Sequence, residues 1–202
     1  MEQESKMIIS GTILPKRAVK QVIPKVYQYG DCGACVLAGL IGWTDVSLVY
    51  ERLQENGKIE PFSHPTMRSA LWRAKSLGLI CKLVDNFPIW PIYKSHMTWG
   101  NVSWKQNLEW FDYISMAIDG GYYGIASINI NGDGPCVDTD HMVLICGTRE
   151  RSEPNQYVEG AKNIIQEILV SCSAHHPEGQ WYEVIDFLKN RGGFNCYLAK
   201  PN

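Results

Sequence analysis

The sequence lacks the charge imbalance and the long apolar runs that mark several classes of protein. Its 202 residues carry 19 Lys and Arg against 21 Asp and Glu, a formal net charge of −2. Binding to nucleic acid or to an anionic membrane surface relies on clustered positive charge, so we expect neither kind of partner. No apolar run approaches the roughly 20 residues of a membrane-spanning helix. Internal repeats and low-complexity tracts are also missing from the sequence.

The cysteines do not form the framework of a small disulfide-rich domain. There are seven of them, an odd number, and they are scattered among apolar neighbours. Residues 1–6 lack the basic-then-apolar pattern of an export signal. We therefore expect reduced thiols and a cytoplasmic location. No cofactor and no resident metal ion are predicted, and the sequence gives no oligomeric state.

The patterning predicts one α+β domain over residues 1–202, because helical patterns come first and strand patterns cluster late. We expect N-terminal helices packed on a mostly antiparallel sheet. An N-terminal arm (1–25) and a Pro- and Trp-rich loop (86–104) complete the domain. The predicted helices cover residues 32–42, 48–54, 64–77, 104–118 and 181–190, and the predicted strands cover 79–84, 122–130, 141–146 and 194–198. Residues 164–171 are expected to form a strand or a short helix followed by one. Residues 149–160 are expected to form a flexible polar excursion.

Two thiols, Cys32 and Cys35, stand where a turn containing Gly30 and Gly33 leads into the apolar run 36–41. A helix N-terminus carries a positive partial charge and unpaired N–H groups, which favour a thiolate over a thiol. About a hundred residues later, His141 opens an apolar strand pattern. A cysteine at a helix start and a histidine at a strand start indicate nucleophilic cysteine chemistry.

The segment Cys32-Gly33-Ala34-Cys35 resembles the C-G-[SA]-C motif of papain-like cysteine proteases, in which the second cysteine is the nucleophile. Asp31-Cys32-Gly33 is also similar to the D-C-G of the bacteriocin-processing, double-glycine-leader peptidases, in which the first cysteine is. The apolar helix positions after Cys32 fit the second group without gaps. We therefore favour Cys32 as the nucleophile and keep Cys35 as the alternative.

The resemblance covers residues 26–200 in element order and implies a papain-like fold of the bacterial or phage kind. It implies a hydrolase that cleaves a peptide or isopeptide bond of a peptide or protein substrate through a thioester. His141 would be the base, and Gln28 would contribute to the oxyanion hole. The third catalytic position falls on the strand that offers Cys172 and Ser173, and Asp140 is a further candidate for orienting His141.

Other interpretations of the same residues remain open. The thiols could be inert core cysteines in a catalytically inactive papain-like binding module, or the thioester could pass to an amine in a transferase. The C-x-x-C spacing is also that of thioredoxin-like redox sites, although no βαβ pattern surrounds it. A zinc site formed by Cys32, Cys35, Cys136, His141 and Cys146 lacks a tight ligand knuckle in its second half.

Overall fold

A computed structural model describes residues 7–20, 31–49, 89–94, 104–128, 141–188 and 192–200. The sequence predictions over residues 50–88 therefore lie outside the described residues. The described elements, in chain order, are β1 (Met7–Ile13), α1 (Asp31–Ile41), β2 (Ile89–Lys94), α2 (Trp104–Asp119), β3 (Tyr123–Ile128), β4 (His141–Pro154), β5 (Lys162–Cys172), β6 (His176–Glu183), α3 (Val184–Asp186) and β7 (Gly192–Ala199).

The described strands form one seven-stranded sheet whose neighbours all pair antiparallel. Six strands follow the order β2-β7-β3-β4-β5-β6, and the seventh, β1, pairs with β4. The long strand β4 organises this sheet. One of its edges pairs first with β3, over residues 141–145, and then with β1, over residues 147–152. Its other edge pairs with β5 along most of its length. The expected α+β class with a mostly antiparallel sheet is confirmed at this level.

Each face of the sheet carries a helix over its own apolar core. Alternate residues of β4 face opposite ways, as the strand period requires. Met142, Leu144 and Cys146 join the core under α1, whereas Val143 and Ile145 join the core under α2. Within the described ranges, none of the helices combines the length and the apolar content that crossing a bilayer requires.

Both long helices end in the same hydrogen-bonded motif at a glycine with positive φ. Gly42 has φ of 82°, and the next residue, Trp43, donates its N–H to the carbonyl of Ala38 at 2.9 Å. Gly121 has φ of 81°, and Tyr122 donates to Ala117 at 2.8 Å. These six-to-one bonds cap the last carbonyls, and glycine adopts the required left-handed conformation without steric cost.

The start of a second helix after α1 agrees with the sequence prediction as far as the described residues reach. Residues 47–49 are helical, and Asp45 Oδ1 accepts hydrogen bonds from the N–H and the hydroxyl of Ser47 at 2.9 and 2.7 Å. The side-chain hydrogen bond from Ser47 is the main cause that lowers the pKa of Asp45. Asp45 therefore acts as the N-cap that its residue type predicts.

Three secondary-structure predictions are wrong. Residues 149–154 continue β4 rather than forming a flexible excursion, because β1 and β5 pair with them on both sides. Residues 181–183 belong to β6 rather than to the predicted helix, and the helical residues that the structure describes there are 184–188, with Val184–Asp186 as the α-helical part. Ile89–Lys94 form β2 within the segment that was expected to be a loop. Pro91 is tolerated in β2 because that strand lies at the sheet edge, where one row of N–H groups has no strand partner in the described part of the chain.

The polar residues of the extended β4 are held by ion pairs with the neighbouring strand. Arg149 Nε and Arg151 Nε lie 2.6 and 3.0 Å from the two carboxylate oxygens of Glu167, and the Arg149 guanidinium also covers the ring of Trp181 at 4.1 Å. Burial acts to raise the pKa of Glu167, but the hydrogen bonds from both arginines outweigh it and hold that pKa below its usual range.

A chain segment after β1 fixes α1 against the sheet. Val19 donates its N–H to the carbonyl of Cys35 at 3.0 Å, and Ala18 donates to Ser171 Oγ on β5 at 2.9 Å. A Cβ on Gly39 would lie 1.9 Å from the carbonyl oxygen of Arg17. The helix therefore approaches this segment more closely than any side chain would allow.

We predict that Gly39→Ala destabilises the protein by about 3 kcal/mol or more, because the added methyl group must push the helix and the segment apart. Gly120→Ala is the matched control, since its Cβ would meet nothing closer than 3.4 Å, and it should change the stability by less than about 1 kcal/mol. Urea denaturation measures both free energies of unfolding. Equal effects of the two substitutions would show that residues 14–20 do not pack against α1.

Candidate active site at the start of strand β4

Cys32 lies in the first turn of α1, where the sequence predicts a helix start. Only 6% of the residue is exposed, and its sulfur accepts a hydrogen bond from the backbone N–H of Met142 at 3.4 Å. The N–H groups of the first helical turn have no partner within the helix and create a positive partial charge there. Both features favour a sulfur that carries negative charge.

His141 is the first residue of β4, which agrees with its predicted place at a strand start. The residue is 5% exposed, and its Nε2 lies 3.1 Å from the sulfur of Cys172, the last residue of β5. This contact joins the ends of two adjacent strands. It gives the imidazole a fixed orientation, because a ring whose nitrogen is hydrogen-bonded cannot rotate freely.

The start of β4 therefore meets two thiols. Because Cys32 Sγ contacts the N–H of the residue directly after His141, covalent geometry places this sulfur within about 6 Å of the His141 Cα. Cys32 belongs to the core under α1, whereas Cys172 belongs to the core under α2. The two thiols thus reach the start of β4 from the cores on opposite faces of the sheet.

The other predicted site residues have different surroundings. Cys35 is 1% exposed within the core under α1, and its backbone carbonyl binds Val19. Ser173 is fully buried, and its hydroxyl has no hydrogen-bond partner among the described residues. Three residues were candidates for orienting His141, and of the two that the structure describes, Cys172 is the one that contacts the ring. Gln28 and Asp140 lie outside the described residues.

Cys146 is a buried thiol that lies in the middle of a strand rather than at a helix start. It lies in the middle of β4 and is fully buried, and its sulfur donates to the carbonyl of Leu169 at 3.5 Å. Burial raises the pKa of this thiol to about 11. The described residues contain no group of three or more His, Cys, Asp or Glu arranged to hold a metal ion. Cys136, a member of the alternative zinc set, lies outside the described residues.

The sequence analysis missed a cavity beside the His141–Cys172 pair, lined by Cys172, by side chains of β6 and by Phe187, which directly follows α3. A signal for it exists, because His176, Gln180 and Tyr182 occur at even spacing and therefore share one face of a strand. The prediction of a helix over residues 181–190 concealed that pattern. Ser171 was missed as well, and nothing in its local sequence indicates that its hydroxyl joins two distant segments.

Comparison with known proteins adds no family to this geometry: no protein-family model matches the chain, and no curated protein matches its sequence. The assignment of a function therefore depends on the residues and contacts described above.

Two neighbouring serines of the site region should differ in their effect on stability. Ser171 Oγ accepts from the N–H of Ala18 at 2.9 Å and donates to the carbonyl of Pro177 at 2.6 Å. We predict that Ser171→Ala costs about 1–3 kcal/mol, because it leaves two groups without their partner. Ser173→Ala should be neutral or stabilising, because it removes a buried hydroxyl without a partner in the described structure.

Differential scanning calorimetry of both variants measures this contrast. A loss of stability in Ser173→Ala as large as that in Ser171→Ala would contradict it, and would show that the Ser173 hydroxyl is paired.

Proposed function

We propose that the protein is a cysteine hydrolase of papain-like architecture that cleaves a peptide or isopeptide bond. One observation carries the proposal: Cys32 contacts the backbone N–H of Met142, and Cys172 contacts the ring of His141, at the first two residues of β4. A thiol at a helix start and an oriented imidazole are the two parts that nucleophilic cysteine catalysis needs. The family resemblance of the Cys32 and His141 segments supports the same assignment.

In the proposed first step, the Cys32 thiolate attacks the carbonyl carbon of the scissile bond and forms a C–S bond. The negative charge moves to the carbonyl oxygen, which the N–H groups of the first turn of α1 stabilise, with the Gln28 amide as the second donor that the resemblance implies. His141, protonated at Nδ1, transfers that proton to the leaving nitrogen as the C–N bond breaks. The products are a free amine and a thioester on Cys32.

In the second step, a water molecule attacks the thioester carbonyl while His141 accepts one of its protons. The C–S bond then breaks, a carboxylic acid leaves, and the proton that His141 holds restores the imidazolium beside the thiolate. Cys172 acts as a positioning residue in both steps, because its sulfur holds Nε2 and directs the other ring nitrogen to the reaction.

A thiol at this position also predicts slow turnover. An amide or a carboxylate in place of Cys172 would stabilise the imidazolium by a stronger, charge-assisted hydrogen bond. This feature favours the second candidate function, a papain-like module that binds a peptide with little or no cleavage. The two candidates differ in whether Cys32 is acylated at all.

Acylation by p-nitrophenyl acetate tests the proposal without knowledge of the natural substrate. We predict that Cys32 becomes acetylated, that Cys32→Ala abolishes nitrophenolate release above background, and that His141→Ala slows it roughly 10²–10⁴-fold. Cys35→Ala is the matched control, because it removes the neighbouring thiol and should retain most of the rate. Cys172→Asn should speed release of the acetyl group.

Peptide mapping by mass spectrometry locates the acetyl group. Acetylation of Cys35 instead, with activity lost in folded Cys35→Ala, would assign the nucleophile to Cys35. An absence of acetylation at every cysteine in the folded wild type would leave the binding module as the function.

A further inference from the structure

Cys172 and His141 form a thiol–imidazole pair, and the proposed hydrolysis uses this contact only to orient the ring. Nε2 of His141 lies 3.1 Å from the Cys172 sulfur. At that distance the imidazole can accept the thiol proton and leave a thiolate, which is the reactive form of cysteine. The pair therefore has the parts for chemistry at the Cys172 sulfur itself.

The Cys172 side chain lines a cavity of about 320 Å³ on the α2 face of the sheet. The floor of the cavity is apolar and consists of three branched side chains that are buried in the sheet, Ile128, Val143 and Val170. The exposed residues His175 and Gln180 also line the cavity and border it toward solvent. A small molecule can thus reach the sulfur, although only 7% of Cys172 is exposed.

A second imidazole lies near the same sulfur on the next strand. His176 of β6 is the cross-strand partner of Cys172, and both side chains line the cavity. Directly opposed residues on one face of an antiparallel pair have Cβ atoms about 4.5–5.5 Å apart. One imidazole, that of His141, can therefore take a proton from the sulfur, and the other can donate a hydrogen bond to a molecule bound beside it.

The lining favours a small, uncharged reactant. Among the lining residues that the structure describes there is no Asp, Glu, Lys or Arg, so a charged molecule would lose hydration without gaining a counter-ion. Hydrogen peroxide is uncharged, and its hydroxyl groups can donate and accept hydrogen bonds. The same described lining contains no second cysteine, so an oxidised Cys172 has no thiol in the cavity with which to form a disulfide.

We propose that Cys172 is a peroxide-sensitive thiol that hydrogen peroxide oxidises reversibly to a sulfenic acid. His141 Nε2 takes the thiol proton, and the thiolate sulfur attacks one oxygen of the peroxide. An S–O bond forms as the O–O bond breaks, and His176 donates a hydrogen bond to the leaving hydroxide. This hydroxide takes the proton from His141 and departs as water, and the sulfur has lost the two electrons that the peroxide gained. The inference goes beyond the proposed function, because the oxidation requires neither Cys32 nor a peptide substrate.

Trapping with dimedone, which forms a stable adduct with sulfenic acids, tests the proposal. The native wild type is treated with hydrogen peroxide for timed intervals and then unfolded in urea with dimedone, so that access of the trap does not limit labelling. Peptide mapping gives a rate for each cysteine. We predict that Cys172 is oxidised about tenfold faster than glutathione at the same pH. Buried Cys35 and Cys146, which do not line the cavity, should stay unlabelled, and dithiothreitol added before the trap should restore the Cys172 thiol.

Variants of the three histidines separate their roles. His141→Gln keeps a hydrogen-bonding group but removes the base, and it should slow the oxidation of Cys172 about tenfold. His176→Ala should slow it severalfold, because it removes the donor opposite the sulfur. His175→Ala is the matched control from the same cavity and should keep the wild-type rate. Cys32→Ala should keep it as well. Thermal melting points near that of the wild type establish that the variants are folded.

Oxidation of Cys172 in the folded wild type that is no faster than that of Cys146 would overturn the proposal. An unchanged rate in folded His141→Gln would also overturn it, because the thiol would then react without the imidazole. A rate that is lost in folded Cys32→Ala would overturn it too, since the oxidation would then pass through Cys32. Each of these results leaves the proposed function intact, because acylation of Cys32 by p-nitrophenyl acetate is measured separately.

Discussion

The pairing of β4 with strands on both of its edges is the constraint on which the candidate site depends. Pairing with β3 fixes residues 141–145 of β4, and pairing with β5 holds the strand from Leu144 onward, so His141 and the N–H of Met142 have defined positions. The contact of Cys32 with that N–H and the contact of Cys172 with the His141 ring both use this strand end. Main-chain hydrogen bonds of the sheet thus set the geometry at the site. A site on a paired strand is positioned more precisely than a site on a surface loop.

The same fold places thiols in two different environments. Cys146 lies in the middle of β4, where burial removes its sulfur from water and raises its pKa to about 11. Cys32 is nearly as buried, but it has a helix N-terminus and a backbone N–H beside it. Burial alone penalises a thiolate, whereas oriented N–H groups compensate for the lost hydration. The difference in environment, rather than the residue type, separates a structural cysteine from a candidate nucleophile.

The sheet is stabilised far from the site as well as near it. Glu167 joins Arg149 and Arg151 of the neighbouring strand, and this pairing keeps the polar half of β4 extended. Close to the site, the Ser171 hydroxyl links the segment before α1 to Pro177 at the start of β6. The pairs of Glu167 with the two arginines and the bond from Ala18 to Ser171 join separate elements and hold them in place in the sheet.

Local sequence was sufficient wherever local interactions decide the structure. The start of α1 at the cysteine pair, its end at Gly42 and the strand start at His141 follow from capping and apolar periodicity. The predictions were wrong where pairing with a strand distant in the sequence determines the secondary structure. The polar segment after Arg149 becomes a strand through pairing with β1 and β5, and Trp181 lies in a strand because Leu169 of β5 pairs with it. Such pairings leave little trace in the residues themselves.

The contact of Cys172 with His141 was anticipated only as a choice between two neighbouring residues. The strand period does not decide it, because the register of β5 against β6 shifts between Val170 and Cys172. The cavity that Cys172 lines could not be predicted either, because its other lining residues come from β3, β4, β5, β6 with the turn before it, and Phe187, which are separated in the sequence.

The central claim is that Cys32 is an activated thiol, and the pH dependence of its alkylation by iodoacetamide tests that claim most directly. Peptide mapping after timed exposure gives a separate rate for each cysteine of the folded protein. The account predicts that Cys32 reaches half of its maximal rate at a lower pH than the thiol of glutathione measured under the same conditions, because a helix N-terminus and a backbone N–H favour its thiolate. Cys146 should stay unmodified, as its raised pKa requires. A Cys32 profile at or above that of an ordinary thiol, or a reactivity no greater than that of Cys146, would contradict the account.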